Sequence, residues 1–513
     1  MDPSAPTTLP HLWQRAALRG PLLSAILAAV VWAIVLRHTY LYDDVSRIPG
    51  DDRLNSPAAS VELFTGRYNE GVDNLYRPVT SFSFAVQAWI VGTDEEAAWF
   101  YHGLNLLLYA GVTFLVARLA VDLSGGSGLV GLAAGGLFAT HPVHAEVVGM
   151  VVGRGELLCA IGFLGGTLLA LQPLTRGRIV AMLGCLALAI GSKEQGLVLP
   201  VMFAVIMLAR WTGDKVGSWP RIKEMVALLT LFMAAYLVFR ESILPMAWER
   251  SDLDYTIQPM IRAQGLDRWT LWLIPLGHAL QLLVLPAVQS IDYGSNIITP
   301  PTDFGSVYVW AGVVALLLWT AGLLHAIRQR WTAGLIALLG VAITYGPVAN
   351  LLTVIGTIFG ARLLFLPSAF FVIYVVLLGQ RFVQSATQQR VAAGLVAMTC
   401  IAFAGTGLMY VRPWNDRLAA YLAQAETFPQ SIRLQLLVAD EARQRGEFEL
   451  ATKHVDAAIA LDPDYFGSQM TAAKIARDRG DLDTALVHAQ RAVELARSLV
   501  TVGLRKEIMD QMK

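Results

Sequence analysis

The chain has 513 residues, with 39 Lys and Arg against 39 Asp and Glu, 55% apolar residues and only 15% charged ones. A mean hydropathy of +0.53 places it among polytopic membrane proteins, and the balanced charge argues against nucleic acid as a partner. Cys159, Cys185 and Cys400 all lie in apolar runs, which excludes both a disulfide framework and metal-ligand spacing.

Apolar runs able to span a bilayer occur near 21–37, 100–120, 128–140, 147–171, 178–192, 195–210, 223–240, 305–327, 332–352, 362–380 and 389–411. The first, from about Pro21 to Leu36, lacks a small-residue cleavage site and runs straight into Tyr40-Leu41-Tyr42, so it reads as a signal anchor. A further helix, Trp269 to Pro286, is expected to be interrupted at Pro275. Arg15, Arg19, Arg176, Arg178, Arg210, Lys215, Arg221, Lys223, Arg328, Arg330, Arg381 and Arg390 fall on alternate sides of the runs. Placing them all in the cytoplasm gives about eleven spans plus one re-entrant or surface-lying helix, N-terminus inside and C-terminus outside. A true twelfth span at 269–286 is the rival.

That orientation gathers four segments on the outer face: the loop from Tyr40 to about Trp99, the turn Thr140–Glu146, the turn Gly191–Gln195 and the stretch Asn350–Arg362. The long loop carries Asp43, Asp44, Asp51, Asp52, Glu62 and Glu70, and its second half, Pro78 to Val91, reads as an amphipathic helix lying along the interface. Asp43 and Asp44 stand where the first span leaves the membrane. Adjacent carboxylates there end a helix in the bland reading; otherwise they serve as a general base or share a divalent metal. Both are expected at a wet rim, so that removing either leaves the fold intact.

His141, His144 and Glu146 form H-P-V-H-A-E. Histidines at a membrane-water turn are more often hydrogen-bonders than ligands, and an HxxHxE set binds metal only if the turn wraps. Arg154, in an otherwise apolar run, needs either Glu156 or an anion such as phosphate. Lys193 beside Glu194 and Arg362 pose the same choice. Three cations converging on one wet face suit a polyanionic lipid headgroup.

After Val411 the composition turns charged and Ala-rich. A shift of 34 pairs Pro429 with Pro463, Ala442 with Ala476, Gly446 with Gly480, Ala451 with Ala485, Ala458 with Ala492 and Leu461 with Leu495. This is the tetratricopeptide pattern, in about two repeats flanked by helical stretches at 414–427 and 496–511. So short an array buries little surface and is expected to lean on the membrane domain or a partner. The division is therefore 1–411, transmembrane, and 412–513, repeats on the outer face.

The order of motifs resembles the transmembrane and tetratricopeptide-repeat (TMTC) proteins. The matching stretches are D-D after the first span, L-Y-R-P-V-T-S-F-S-F (75–84), Y-H-G-L-N-L-L-L-Y (101–109), H-P-V-H-A-E (141–146), V-G-R-G-E-L-L (152–158), S-K-E-Q-G (192–196) and N-L-L…G-T…A-R-L-L-F-L-P-S (350–368). The resemblance implies a polytopic GT-C-like glycosyltransferase domain followed by a short tetratricopeptide α-solenoid. It implies transfer of a sugar, typically mannose, from polyprenyl phosphate to a Ser or Thr hydroxyl of a protein on the non-cytoplasmic face. Asp43 or Asp44 would be the acidic catalytic residue, acting as general base, Arg77 would help shape the loop, and Arg154, Lys193 and Arg362 would be candidates for the lipid phosphate. His102, His141, His144, Glu146, Glu156 and Glu194 complete the candidate substrate-binding set. Two departures stand out: Gly155-Glu156 where the family pattern expects Ala-Asp, and two repeats where animal members carry many. The short loops and Ala/Gly/Leu-rich composition point to a bacterial relative, with the repeats in the periplasm, or to the endoplasmic reticulum membrane if eukaryotic. No nucleotide-binding Gly motif occurs, and no cofactor is required beyond a divalent metal at the carboxylates, which stays open. The competing readings are a flippase for the same lipid-linked sugar and a non-catalytic envelope scaffold.

Overall fold

The computed structural model describes residues 9–68, 75–211, 219–244, 254–294, 296–299, 305–351 and 353–513; Glu70 and Lys215 lie outside them. Among the described residues the chain is helical, with no strand. Helix α1 (Leu9–Val31) continues as a 3-10 turn over Trp32–Arg37. The outer loop holds α2 (Asp43–Arg47) and α3 (Pro78–Val91), with two 3-10 turns between them. Helices α4 (Ala98–Leu123) and α5 (Gly128–Thr140) form a hairpin. An irregular stretch follows, made of a 3-10 turn at Pro142–His144, α6 (Ala145–Gly149) and a 3-10 turn at Val151–Gly153. The chain then re-enters as α7 (Arg154–Ala170) and α8 (Arg176–Ser192), and continues as α9 (Leu199–Trp211) and α10 (Trp219–Ile243). Helices α11 (Leu266–Val284), α12 (Val307–Arg328), α13 (Thr332–Tyr345), α14 (Phe365–Phe382) and α15 (Ala386–Val411) complete the apolar part.

Each expected apolar run contains one of these helices, but only 7 described helices are long and apolar enough to cross a membrane by length and composition. The others, α5, α9 and α13 among them, are shorter because irregular polar turns replace their outer ends. The helix of the run near 147–171 likewise begins only at Arg154, although together with the preceding 3-10 turn it remains one of the seven. These turns cap helices inside the protein, where their backbone groups can be satisfied.

The central core is built from α1, α4, α5, α7 and α14 around Trp32, Tyr109, Phe138, Phe163 and Phe370, all fully buried. Helices α11 and α12 pair closely beside it, and α11 runs unbroken through Pro275. The expected interruption there is absent, since one missing amide bond does not end a helix held by packing. The contact passes through Gly277 and Gly312, where an added Cβ would meet Tyr308 O at 2.1 Å and Leu273 O at 2.2 Å.

Helix α3 buries Pro78, Thr80, Ser81, Phe84, Ala85 and Gln87 and turns Phe82, Val86, Trp89 and Ile90 outward. Its exposed side is apolar and its buried side mixed.

Beyond Val411 the helices α16 (Arg417–Thr427), α17 (Ile432–Gln444), α18 (Phe448–Leu461), α19 (Phe466–Asp478), α20 (Leu482–Leu495) and α21 (Leu499–Gln511) stack as antiparallel hairpins. The 34-residue period reappears in the contacts. His454 bonds Gln435 and His488 bonds Gln469, while Gln435 donates to Pro429 O and Gln469 to Pro463 O. Gly446 and Gly480 take positive φ of 76° and 84° in the tight turns, and Ala442, Ala451 and Ala485 are buried where helices cross.

Replacing Gly312 by Ala is expected to destabilise the α11–α12 pair by about 1–3 kcal/mol, because backbone, not a flexible side chain, occupies the space. Gly379→Ala, with nothing within 4 Å of its added Cβ, is expected to be neutral or slightly stabilising. Melting temperatures of the two variants in the same detergent check the contrast.

Candidate active site

The two adjacent carboxylates separate as soon as helix geometry is imposed. They open α2, where successive side chains diverge by about 100°, so Asp43 is half exposed and Asp44 fully buried. Asp44 Oδ1 accepts from Val152 N at 2.8 Å, and Oδ2 accepts from Val151 N at 3.0 Å and Leu41 N at 3.3 Å. It thereby caps the Val151–Gly153 turn, whose first amides have no helical partner. Burial raises its pKa to about 7 although these amides oppose the shift. The expectation that both carboxylates stand at a wet rim is corrected for Asp44. Its oxygens hold three backbone amides inside the protein.

Arg154 is corrected likewise. Its Nε donates to Asn105 Oδ1 at 2.8 Å, Nη2 to Tyr101 O at 2.9 Å and Nη1 to Ser83 O at 3.4 Å, with the guanidinium over the Phe84 ring. Asn105 in turn donates to Met150 O and Val151 O. Arg154 is fully buried and tied to the Asn105 side chain and to two backbone carbonyls, whereas Glu156 pairs with Lys193. His102, also fully buried, packs edge-on against His38, whose ring in turn lies beside Trp414.

The histidines of the outer turn hold helices together. His141 Nδ1 accepts from Val143 N while Nε2 lies 3.2 Å from Leu283 O. His144 bonds Tyr109 and Ser368, each at 2.8 Å, bridging α4 and α14. Burial drops His141 to about 4, so neutral rings make these bonds. All four ring nitrogens are engaged, which does not fit a metal site. Among the described residues no group of three His, Cys, Asp or Glu is placed to hold a metal ion.

The remaining candidates converge. Glu156 pairs with Lys193 at 2.5 Å, both nearly fully buried. Arg77 clasps Glu194 through Nε and Nη2, at 2.7 Å for the shorter contact, and lies over the Tyr68 ring. It joins the outer loop to the turn after α8. Arg362, at the start of the 3-10 turn before α14, differs from these cations. Its Nη1 is 3.7 Å from Asp43 Oδ2 and 4.0 Å from Glu146 Oε2, beyond hydrogen-bonding distance. Glu146 is 2% exposed, its Oε1 has no partner, and burial raises its pKa to about 8 against the opposing charge of Arg362. Among these described candidates Lys193–Glu156 and Arg77–Glu194 are closed ion pairs, whereas Arg362 stands beside the half-exposed Asp43 and the buried Glu146 without hydrogen-bonding either.

A further set was not foreseen. Arg433 of α17 pairs with Asp292 at 2.6 Å and donates to the Tyr42 hydroxyl at 2.7 Å, while Tyr42 N–H donates to Tyr421 Oη at 2.9 Å. Tyr42 has φ 53° and ψ −116°, in the left-handed region that aromatic residues avoid. Tyr421 and Arg433 lie in the repeat region, and no spacing in the chain connects them with Tyr42.

No family model and no solved structure matches this chain. Among curated proteins, the protein O-mannosyl-transferase F38B6.6 of Caenorhabditis elegans is 23% identical over 467 residues, covering 87% of this chain and 63% of that protein. The protein O-mannosyl-transferase TMTC3 of Mus musculus is 24% identical over 497 residues, covering 88% of this chain and 52% of that protein. A shorter match, 33% over 149 residues and 28% of this chain, is to the protein O-mannosyl-transferase tmtc2 of Xenopus laevis. The chain thus spans between half and two thirds of the relatives that it matches along most of its own length.

Asp44→Ala strips three buried amides of their acceptor, each costing about 1–3 kcal/mol when left unpaired. A clear drop in melting temperature and folded yield is expected, against a change within about 0.5 kcal/mol for Asp43→Ala; thermal unfolding of both in detergent decides. Glu146 gives a pH test. Its folded pKa of about 8 exceeds the ordinary 4.5, so folding takes up a proton between those values and stability falls as pH rises through them. Glu146→Gln removes that loss, and its melting-temperature advantage over wild type should grow from about pH 5 to about pH 8.

Proposed function

We propose that the chain is a TMTC-type glycosyltransferase that moves a sugar, mannose in the first instance, from polyprenyl phosphate to a protein hydroxyl on the non-cytoplasmic face. The observation that carries this reading is Arg362 without a hydrogen-bonded carboxylate, 3.7 Å from the half-exposed Asp43. A planar guanidinium with donors to spare takes a phosphate bidentately. The names of the relatives matched over most of the chain support it. Composition and short loops favour a bacterial inner membrane, with the tetratricopeptide-like helices in the periplasm.

In this mechanism the acceptor hydroxyl approaches from the outer face and Asp43 takes its proton. The oxygen attacks the sugar C1 as the bond from C1 to the phosphate oxygen breaks, inverting the anomeric centre. The departing phosphate keeps the electron pair, and Arg362 offsets its charge. Lys193 and Arg77, already paired, shape the electrostatics of the rim at longer range. Glu146, whose pKa burial raises to about 8, stands 4.0 Å from Arg362. Asp44 and Arg154 hold the backbone that carries these groups.

Membranes containing the chain should transfer label from polyprenyl-phosphate mannose to protein. Asp43→Asn is expected to lower turnover by about 10²–10⁴-fold, the usual worth of a positioned base. Arg362→Ala is expected to lose comparably, with Arg362→Lys recovering only part because a point charge replaces a fork. Equal expression and unchanged melting temperature are the controls. Activity retained by Asp43→Asn would remove it as the base, and no transfer from any polyprenyl-linked sugar would sink the transferase reading.

A further inference from the structure

The repeat helices do more than follow the last span; they grip the backbone that presents Asp43. Helix α15 ends at Val411, and a 3-10 turn at Arg412–Asn415 brings the chain back across the outer rim, where Thr39 N–H donates to Trp414 O. From there Tyr421 accepts the amide of Tyr42, and Arg433 reaches its hydroxyl. Arg433 is fixed from its other side by Asp292, in the segment after α11, and Gln424 accepts from Ile291 N–H at 3.0 Å in that same segment. Tyr42 is thus held at both its backbone and its side chain by two repeat residues anchored to a third part of the protein.

The conformation at Tyr42 shows what the grip accomplishes. A tyrosine at φ 53° is strained, and such a residue keeps that shape only where its surroundings over-determine it. The turn at Tyr42 begins α2, so relaxation there would rotate the first residue of the helix, Asp43, away from Arg362. Asp44 pins the buried side of α2 through Val151 and Val152, while on the exposed side Ser46 Oγ donates to Asp43 O within the same turn.

We propose that Tyr421 and Arg433 are positioning residues, which hold Tyr42 in its left-handed conformation and so aim the Asp43 carboxylate at Arg362. The catalytic consequence rests on the transferase reading above, whereas the mechanical coupling does not. Because the clamp lies in α16 and α17, whatever loads or shifts the repeat helices acts on the reaction centre through two side chains.

The test uses the full chain in detergent or native membranes, with Tyr421→Phe, Arg433→Ala, Arg433→Lys and Tyr42→Phe. Tyr421→Phe removes a single oxygen and stands in if Arg433→Ala fails to fold. Transfer from polyprenyl-phosphate mannose should show kcat lowered about tenfold or more in Tyr421→Phe and Arg433→Ala, with the donor KM within about twofold, as expected of misaimed chemistry. Arg433→Lys should recover part of the loss, and Tyr42→Phe combined with Arg433→Ala should lose less than the two single effects summed. Hydrogen exchange of the 41–45 segment should quicken in the first two variants while α4 stays protected. Unchanged kcat with unchanged exchange would overturn the proposal, as would a loss seen only in KM. If the wild type transfers nothing, the transferase reading falls, and exchange alone decides whether the repeats hold Tyr42.

Discussion

Everything at the outer rim depends on how one buried carboxylate and one buried guanidinium are satisfied. Asp44 and Arg154 are both fully enclosed, where a charged group without partners is too costly to keep. They are satisfied not by each other but through the irregular backbone between α6 and α7. Asp44 takes the amides of Val151 and Val152, and Asn105 donates to the carbonyls of Met150 and Val151. Arg154 donates to Asn105 and to carbonyls of α3 and α4. A segment that would otherwise expose unpaired amides near the membrane becomes rigid. Glu146 lies on one side of it and Glu156 on the other, so the frame sets the places of two rim carboxyls.

That frame lets the rim carry unequal charges. Lys193 with Glu156 and Arg77 with Glu194 are closed pairs at 2.5 and 2.7 Å, each compensating its own desolvation. Arg362 has carboxyl groups on two sides but bonds neither. Burial raises the Glu146 pKa to about 8, and Asp43 is half exposed and 3.7 Å away. A cation partly solvated and loosely attended is the one able to exchange neighbours for an incoming anion at small cost. Burial depth, more than residue type, separates the cation that remains available from those that serve the fold.

The repeat helices meet the same rim. Arg433–Asp292, Tyr255–Asp462 and Tyr465–Asp254 are contacts across which the last hundred residues meet the outer loops. They are polar and directional, as befits an interface at the wet face of a membrane protein, where apolar burial is spent within the bilayer part. A short array that could not bury enough surface alone acquires a fixed orientation by docking there. It also acquires a lever on Tyr42.

The sequence by itself determined the things that depend on pattern. Long apolar runs dictated helices, and a 34-residue self-similarity placed hairpins with Gly446 and Gly480 at their turns. That was enough to assemble Asp43, Glu146, Glu156, Lys193, Glu194, Arg77 and Arg362 as neighbours, because segments on one rim of a bundle have little room to diverge. Only tertiary structure decided which of them are open. Asp43 and Asp44 are indistinguishable by composition and position, yet one residue of helical rotation puts the first in water and the second against three amides. Arg154, Lys193 and Arg362 are alike as isolated cations, but their states follow from the partners that packing brings within 3 Å, and those partners come from distant parts of the chain. The hold of Tyr421 and Arg433 on Tyr42 spans 379 and 391 positions. No local period encodes it, because it exists only where the returning chain crosses the rim.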